Sequence, residues 1–261
     1  MKRTCLVGLS CALSFIATHA VAHPPEEGAH DDARLWTVAR PVAWPSPADA
    51  PAAGQDAARK PPQASIFDAF GPFVKTRFDD RWLYVESDGL PHAPLETKMM
   101  VGIRSWQQQV PLPQPYTGAN AWQIPLRPEI ADRPILGKTS LMRGAVALAA
   151  NGIPIFNALN NGGRDSFLIG ELDEFGGHCG RGDDYHYHAA PLAIEKIVGK
   201  GKPIAYALDG FPIHGLFDPK AKEGDDLACP CGSHEPLDEI NGHWCEVPAG
   251  EGLGGGTRSY H

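Results

Sequence analysis

Two segments of the chain carry nearly the same residues, and this duplication constrains the fold more than any other feature. Residues 172–178 read Leu-Asp-Glu-Phe-Gly-Gly-His, and Tyr-His-Tyr-His follows at 185–188. Residues 237–243 read Leu-Asp-Glu-Ile-Asn-Gly-His, and Tyr-His follows at 260–261. Both copies therefore contribute a Gly-His corner and a Tyr-His strand. Their common chemistry is the imidazole group, which indicates a metal site.

A second element precedes each copy and extends the duplication. Residues 151–157 read Asn-Gly-Ile-Pro-Ile-Phe-Asn, and residues 209–215 read Asp-Gly-Phe-Pro-Ile-His-Gly. We infer two degenerate repeat units, at about 146–191 and 205–261. Each unit is too short and too rich in Gly and Pro to hold its own core. The two units are therefore expected to pack as pseudo-symmetric neighbours in one domain.

Short apolar runs separated by turn residues predict the fold class. The chain has 29 glycines and 25 prolines, and these alternate with runs typical of strands. The runs lie at 82–85, 99–103, 145–149 and 204–208. The pattern predicts a single, mainly β domain over about 66–261, with long ordered loops and few short helices, one of them at 191–196.

The first 22 residues have the features of a secretory signal peptide. Lys2 and Arg3 precede an apolar run at 6–17, and Ala-Val-Ala at 20–22 has the small-x-small form of a cleavage site. This run is too short for a permanent membrane anchor, and no later segment predicts a transmembrane helix. Residues 23–65, rich in Pro and Ala, predict a flexible tail. We expect an exported protein, either periplasmic or extracellular.

The net charge excludes one class of partner. It is −8 for the whole chain, and loss of Lys2 and Arg3 with the signal peptide makes it −10. A chain of this sign is not expected to bind the phosphate backbone of nucleic acids. The expected partner is a metal ion, with a small-molecule substrate in addition if the protein is an enzyme. The sequence does not indicate an oligomeric state.

The Tyr-His-Tyr-His segment predicts the core of the metal site. Alternate side chains of a strand share a face, so His186 and His188 point the same way as Asp184. His178 lies eight positions before His186, across a Gly-rich turn that can fold it back beside the pair. Three neutral imidazoles form a competent ligand set for copper or zinc. Asp183 and Asp184 are candidates for a fourth ligand, a hydrogen-bond acceptor or a general base.

The second repeat unit offers a further ligand. His243 is equivalent to His178, and we expect the two residues to contribute to one joint site. A fourth imidazole would close the ligand shell and favour a carrier or buffer. An open position would favour a metalloenzyme, either a hydrolase or an oxidoreductase, with Arg181, Asp183 or Asp184 handling protons or an anionic substrate. A structural or interaction module without metal is the third alternative.

The motif residues also resemble a known family. Residues 152–161, 171–191 and 205–215 together resemble the YHYH proteins, an exported bacterial family named for the tetrapeptide at 185–188. The resemblance runs from about residue 106 to the end of the sequence and implies a shared domain, but it implies little about activity. Family members usually carry Tyr where His214 stands, so His214 is either an extra ligand or, the favoured interpretation, a neutral substitution. They also carry a fuller second Tyr-His strand, so a ligand role of His261 stays open.

The cysteines and His23 have their own alternatives. An exported chain with Cys179, Cys229, Cys231 and Cys245 favours two disulfides, in which Cys179 and Cys245 each pair with one member of the 229/231 loop. The alternative is that one or more thiols stay reduced. Signal cleavage would leave His23 at the N-terminus, where it could bind copper with its amine and ring. Pro24 and Pro25 and the predicted tail argue against this arrangement.

Overall fold

Strands dominate the secondary structure, as the alternation of short apolar runs and turns predicts. The computed structural model describes residues 60–92, 110–199, 201–215, 237–247, 256 and 258–261, all within one compact unit, Pro45–His261. The strands are β1 (Lys75–Phe78), β2 (Trp82–Glu86), β3 (Trp122–Pro125), β4 (Ala145–Ala149), β5 (Pro154–Phe156), β6 (Gly177–Cys179), β7 (Tyr185–Tyr187), β8 (Pro203–Ala207), β9 (Pro212–His214), β10 (Trp244–Glu246) and β11 (Arg258–Tyr260). The mainly β prediction is confirmed.

Helical structure is short in the described part of the chain. The α-helix α1 covers Glu195–Val198 and continues a 3₁₀ turn at Leu192–Ile194, close to the expected helix at 191–196. Two more 3₁₀ segments cover Pro62–Phe70 and Gly118–Asn120. None of the helices in the described ranges has the length and apolar character needed to cross a membrane.

The strands form three sheets. One has the order β1-β2-β3, a second consists of β10 and β11, and the largest has the order β6-β7-β5-β4-β8-β9. The hairpins β4-β5 and β8-β9 are antiparallel, while β7 joins β5 in parallel and β6 pairs antiparallel with β7. Asp79 lies in the turn that connects β1 to β2, and its carboxylate accepts hydrogen bonds from the backbone N–H groups of Arg81 and Trp82.

The two repeat units meet inside the six-stranded sheet, where β4 lies next to β8. Strands β4 and β8 are equivalent in the repeats and pair antiparallel with each other. Their cross-strand pairs are Ala147–Ala207, Leu148–Tyr206 and Ala149–Ala205. The register is symmetric about Leu148–Tyr206, because residues that are equivalent in the repeats exchange places on its two sides. The units are therefore pseudo-symmetric neighbours, as the duplication predicts.

The turns after these two central strands match as well. Gly152 and Gly210 are equivalent in the repeats, and both have positive φ, 77° and 99°. The Gly152 N–H donates to the Ala149 carbonyl at 2.8 Å, and the Gly210 N–H donates to the Ala207 carbonyl at 2.9 Å. Glycine adopts this conformation without the steric cost that a Cβ brings. This explains why both copies keep Asx-Gly at this point.

The buried core lies against the central strands. Leu148 and Ile204 are completely buried, as are Tyr187 and the apolar residues that follow β4. The 3₁₀ segment Pro62–Phe70 adds Ala64, Phe67 and Phe70 to this core. This segment includes residues before the expected domain boundary at residue 66. Burial of such side chains stabilises the fold by roughly 1.5–3 kcal/mol each.

One buried polar pair leads to a stability prediction. The Asn151 amide donates to the Tyr187 hydroxyl at 2.9 Å, and both side chains are buried. Tyr187→Phe is expected to lower the free energy of unfolding by about 1–3 kcal/mol, because the Asn151 amide loses its partner. Urea denaturation measures the change. The control is Tyr206→Phe, since the structure shows no hydrogen bond from the Tyr206 hydroxyl to a described residue. Equal losses in the two variants would contradict the prediction.

Candidate metal centre

A fixed loop places His178 at the edge of the six-stranded sheet. One Asp173 carboxylate oxygen accepts hydrogen bonds from the backbone N–H groups of Phe175 and Gly177, at 2.9 and 3.1 Å. The other accepts from the Tyr185 hydroxyl at 2.7 Å. This arrangement ties the Gly-His corner to strand β7. His178 therefore has a defined position before any metal arrives.

The strand pair β6-β7 then brings three imidazoles together. His178 lies directly opposite His186, and His186 and His188 share a face of the chain. The three ring centroids lie 4.9 Å from one another. One ring nitrogen of each residue lies within 4.8 Å of the others. We call these three residues the first histidine cluster.

Hydrogen bonds to the backbone fix which ring nitrogens face each other. His186 Nδ1 lies 3.0 Å from the Asp184 carbonyl oxygen, and His188 Nδ1 contacts the Asn157 carbonyl oxygen at 2.5 Å. Carbonyl oxygens only accept hydrogen bonds, so each Nδ1 carries the proton. The Nε2 atoms of His186 and His188 are then lone-pair donors, and they lie 3.1 Å apart. Such a pair is stable when an electropositive atom lies between the two nitrogens.

Burial keeps the imidazoles in the form that binds metal. It lowers the pKa of His178 to about 4, with a further contribution from His186 and His188. Burial also lowers the pKa of His188. A protonated imidazole has no lone pair for a metal, so a lowered pKa leaves these two ligands neutral at pH 7.

Of the three residues proposed for proton transfer, one contacts the cluster. The Asp184 carboxylate lies 3.4 Å from His186 Nδ1, and this hydrogen bond lowers the pKa of Asp184. Asp184 is therefore placed to orient His186. Arg181 and Asp183 are exposed in the turn before β7, and Asp183 has a positive φ of 55°.

Two other neighbours of the cluster are not among the residues selected from the sequence. The Phe156 ring stacks on His186 at 4.2 Å, and Asn157 supplies the carbonyl oxygen that fixes His188. Both belong to the element at 151–157 that is repeated at 209–215. The repetition is the sequence signal that points to this element as part of the site.

His243 does not join the first cluster. It lies with Cys245 and His261 in a separate group, and the His214 ring lies 4.8 Å from the His261 ring. His214 ends β9, whereas His178 lies on β6 at the other edge of the six-stranded sheet. The expected joint site is therefore corrected to two clusters, because equivalent residues of a two-fold arrangement lie on opposite sides of its axis. We call His214, His243 and His261 the second histidine cluster.

The disulfide prediction needs a correction at Cys179. Its side chain is 3% exposed in the core, and burial raises the pKa of its thiol to about 11. Strand alternation directs Cys179 to the face opposite His178. Cys179 carries a thiol in the structure, so the expected disulfide at Cys179 is wrong. Cys245 is disulfide-bonded, and no disulfide joins two described cysteines. Cys229 and Cys231 lie outside the described residues, as does His23.

Comparisons with known proteins relate this geometry to one family. No curated protein and no solved structure matches the chain. Residues 121–229 match a family model described as YHYH protein. The match includes strands β3 to β9 and the whole first histidine cluster, and it confirms the resemblance carried by the motif at 185–188 over this part of the chain. Over residues 121–229 the chain accordingly matches the YHYH family.

Proposed function

We propose that the chain is an exported metal-binding protein that holds a copper or zinc ion in the first histidine cluster. The observation that carries the proposal is the pair of Nε2 atoms on His186 and His188, 3.1 Å apart. Two nitrogen ligands of one tetrahedral zinc ion, each about 2.0–2.1 Å from the metal, would lie about 3.3 Å apart. The lone pairs are thus close to the separation that a shared ion requires.

The surroundings of the cluster support metal binding over a purely structural role. Histidines that only pack in the core do not need to direct their nitrogen lone pairs at one point. Two such lone pairs repel each other unless a cation lies between them. Here the opposite nitrogens of His186 and His188 are held by backbone carbonyls, and the Asp184 carboxylate lies beside His186 Nδ1. Such partners orient metal-ligating imidazoles and strengthen their lone pairs.

A metal-dependent enzyme at the same cluster is the second candidate. Three imidazoles are the only donors that the described residues group around this point, and a tetrahedral ion would keep a position for water or substrate. His178 is more exposed than the buried His186 and His188. Binding of a small anion such as azide to the cobalt(II)-loaded protein would favour a hydrolase or an oxidoreductase, and an unchanged absorption spectrum would favour a carrier.

Metal content in matched variants tests the proposal. The double variant His186→Ala/His188→Ala is expected to lose the metal of the first cluster, because one imidazole cannot hold the ion. Elemental analysis of protein purified from the exported fraction without added metal, and cobalt(II) titration, measure the loss. His92→Ala is the control, since His92 lies outside both clusters and contacts Asp88 and Phe73.

The amount of metal bound per chain is compared between these two variants. We expect His92→Ala to bind as much metal as the unaltered chain. If the double variant, folded by circular dichroism, keeps all of its metal, the first cluster is not the site. If the unaltered chain holds no metal and binds none on titration, the structural or interaction module becomes the better description.

A further inference from the structure

The second repeat unit also brings imidazoles together, although its closest pair is not equivalent to the closest pair of the first cluster. His243 Nε2 lies 3.0 Å from His261 Nε2. The two residues exchange backbone hydrogen bonds, His243 N–H to the His261 carbonyl at 2.8 Å and His261 N–H to the His243 carbonyl at 3.1 Å. This pairing places both rings on the same side of the strand pair, as the pairing of His178 and His186 does in the first cluster.

The loop that positions His243 has the same construction as the loop before His178. One Asp238 carboxylate oxygen accepts from the backbone N–H groups of Ile240 and Gly242, at 2.9 and 3.2 Å. The Tyr260 hydroxyl donates to the same carboxylate at 2.9 Å. These bonds correspond to those of Asp173 with Phe175, Gly177 and Tyr185. The two loops thus share the same pattern of hydrogen bonds. We infer that the position of the imidazole matters in both copies.

The third imidazole of the second cluster comes from a different strand. The first cluster has His188 as its third member, and Phe156 stacks on His186. In the second unit His214 stands at the position equivalent to Phe156, and its ring lies 4.8 Å from His261. The aromatic contact is therefore kept in both copies. In the second copy the contacting ring is an imidazole, which has a nitrogen that can bind a metal.

We propose that His214, His243 and His261 form a second, independent site for a divalent transition-metal ion. Imidazole nitrogens suit zinc, copper and nickel, and the two Nε2 atoms lie 3.0 Å apart, somewhat closer than the about 3.3 Å of two nitrogens that share a tetrahedral zinc ion. The site lies beside β9, at the sheet edge opposite the first cluster. This assigns His214 as a ligand and replaces the interpretation of a neutral substitution for tyrosine.

The sulfur of Cys245 is close to this site but is not part of its ligand set. It lies 3.5 Å from His243 Nε2 and 3.6 Å from His261 Nε2. Because Cys245 is disulfide-bonded, it has no thiolate to offer the metal. The three donors are therefore all nitrogens. The cobalt(II) form of the second site should lack the sulfur-to-metal charge-transfer absorption of a thiolate ligand.

Metal stoichiometry separates this site from the first. Under non-reducing conditions we expect two cobalt(II) ions per chain, and one in His243→Ala/His261→Ala. His186→Ala/His188→Ala should also keep one ion. Two ions in His243→Ala/His261→Ala would overturn the second site. One ion in the unaltered chain, lost only on substitution of His186 and His188, would also overturn it and leave the proposed function standing. One ion lost only on substitution of His243 and His261 would overturn the first site instead.

A single substitution tests the role of His214. His214→Phe reproduces the residue found at Phe156, so the ring contact with His261 is kept and only the nitrogen is removed. We expect at least about a 100-fold loss of affinity at the second site, since even outer partners of metal ligands contribute 10–100-fold. Affinity at the first site should not change. Unchanged affinity at the second site would overturn His214 as a ligand, and a thiolate charge-transfer band would overturn the all-nitrogen donor set.

Discussion

Gly177→Ala is expected to destabilise the protein by about 3 kcal/mol and to remove metal from the first histidine cluster. A Cβ at Gly177 would lie 2.5 Å from the Tyr185 hydroxyl oxygen and 2.7 Å from the His186 carbonyl oxygen. The second contact is with the backbone of β7, which cannot yield without moving the imidazoles of His186 and His188. Urea denaturation and cobalt(II) titration measure the two effects.

Two other glycines provide controls for this substitution. Gly137→Ala should be nearly neutral, because its Cβ would meet only the Asn157 amide nitrogen, at 3.7 Å. Gly242→Ala should affect the second cluster alone, since its Cβ would lie 2.4 Å from the Tyr260 ring. If Gly177→Ala is as stable as Gly137→Ala and binds metal normally, the rigid corner at His178 is not required for the site.

The metal-free protein is expected to lose stability as the pH falls from about 6.5 to about 4. Burial lowers the pKa of both His178 and His214 from 6.5 to about 4 in the folded state. Above pH 6.5 these residues are neutral in both states, so they contribute no pH dependence. Between the two pKa values the unfolded chain binds protons that the folded chain does not, and the equilibrium shifts toward unfolding.

Thermal unfolding across this pH range measures the effect. The melting temperature of the chelator-treated protein should fall as the pH is lowered through this window. Replacing both His178 and His214 by Phe should flatten that dependence, because phenylalanine does not titrate. Metal binding should persist to lower pH than the ordinary histidine pKa of about 6.5 suggests, since protons compete less well for these two rings. A melting temperature constant between pH 6.5 and 4 would contradict the prediction.

Much of the fold follows from local sequence. The runs at 82–85, 145–149 and 204–208 alternate or concentrate apolar residues in the way that buried strands require, and each is a strand in the structure. The shared face of His186 and His188 follows from the two-residue period of a strand. Each of these features depends on neighbours in the chain, which is why the sequence alone can predict them.

The separation of the two histidine clusters could not be predicted in the same way. Repetition shows that His178 and His243 are equivalent, and equivalent residues meet only on a symmetry axis, as Leu148 and Tyr206 do. The position of that axis depends on which strands pair, a long-range property. The hydrogen bond from His188 to the Asn157 carbonyl was equally inaccessible, since any residue type carries that oxygen. Burial of Cys179 could have been predicted, because neighbouring residues of a strand point to opposite faces. With His178 directed to the metal site, Cys179 is directed to the core.

The central pairing of β4 with β8 has a consequence for the single repeat unit. The Leu148–Tyr206 register is self-complementary, which is the arrangement of an isologous contact between two copies of the same surface. One unit alone would present β4 as an open edge strand, with unpaired N–H and C=O groups that favour association. The fused chain thus contains, within one polypeptide, the two-fold contact that two separate units would make as a dimer. Each half can then change its ligands, as the Phe156 and His214 positions do, without having to remain complementary to an identical partner.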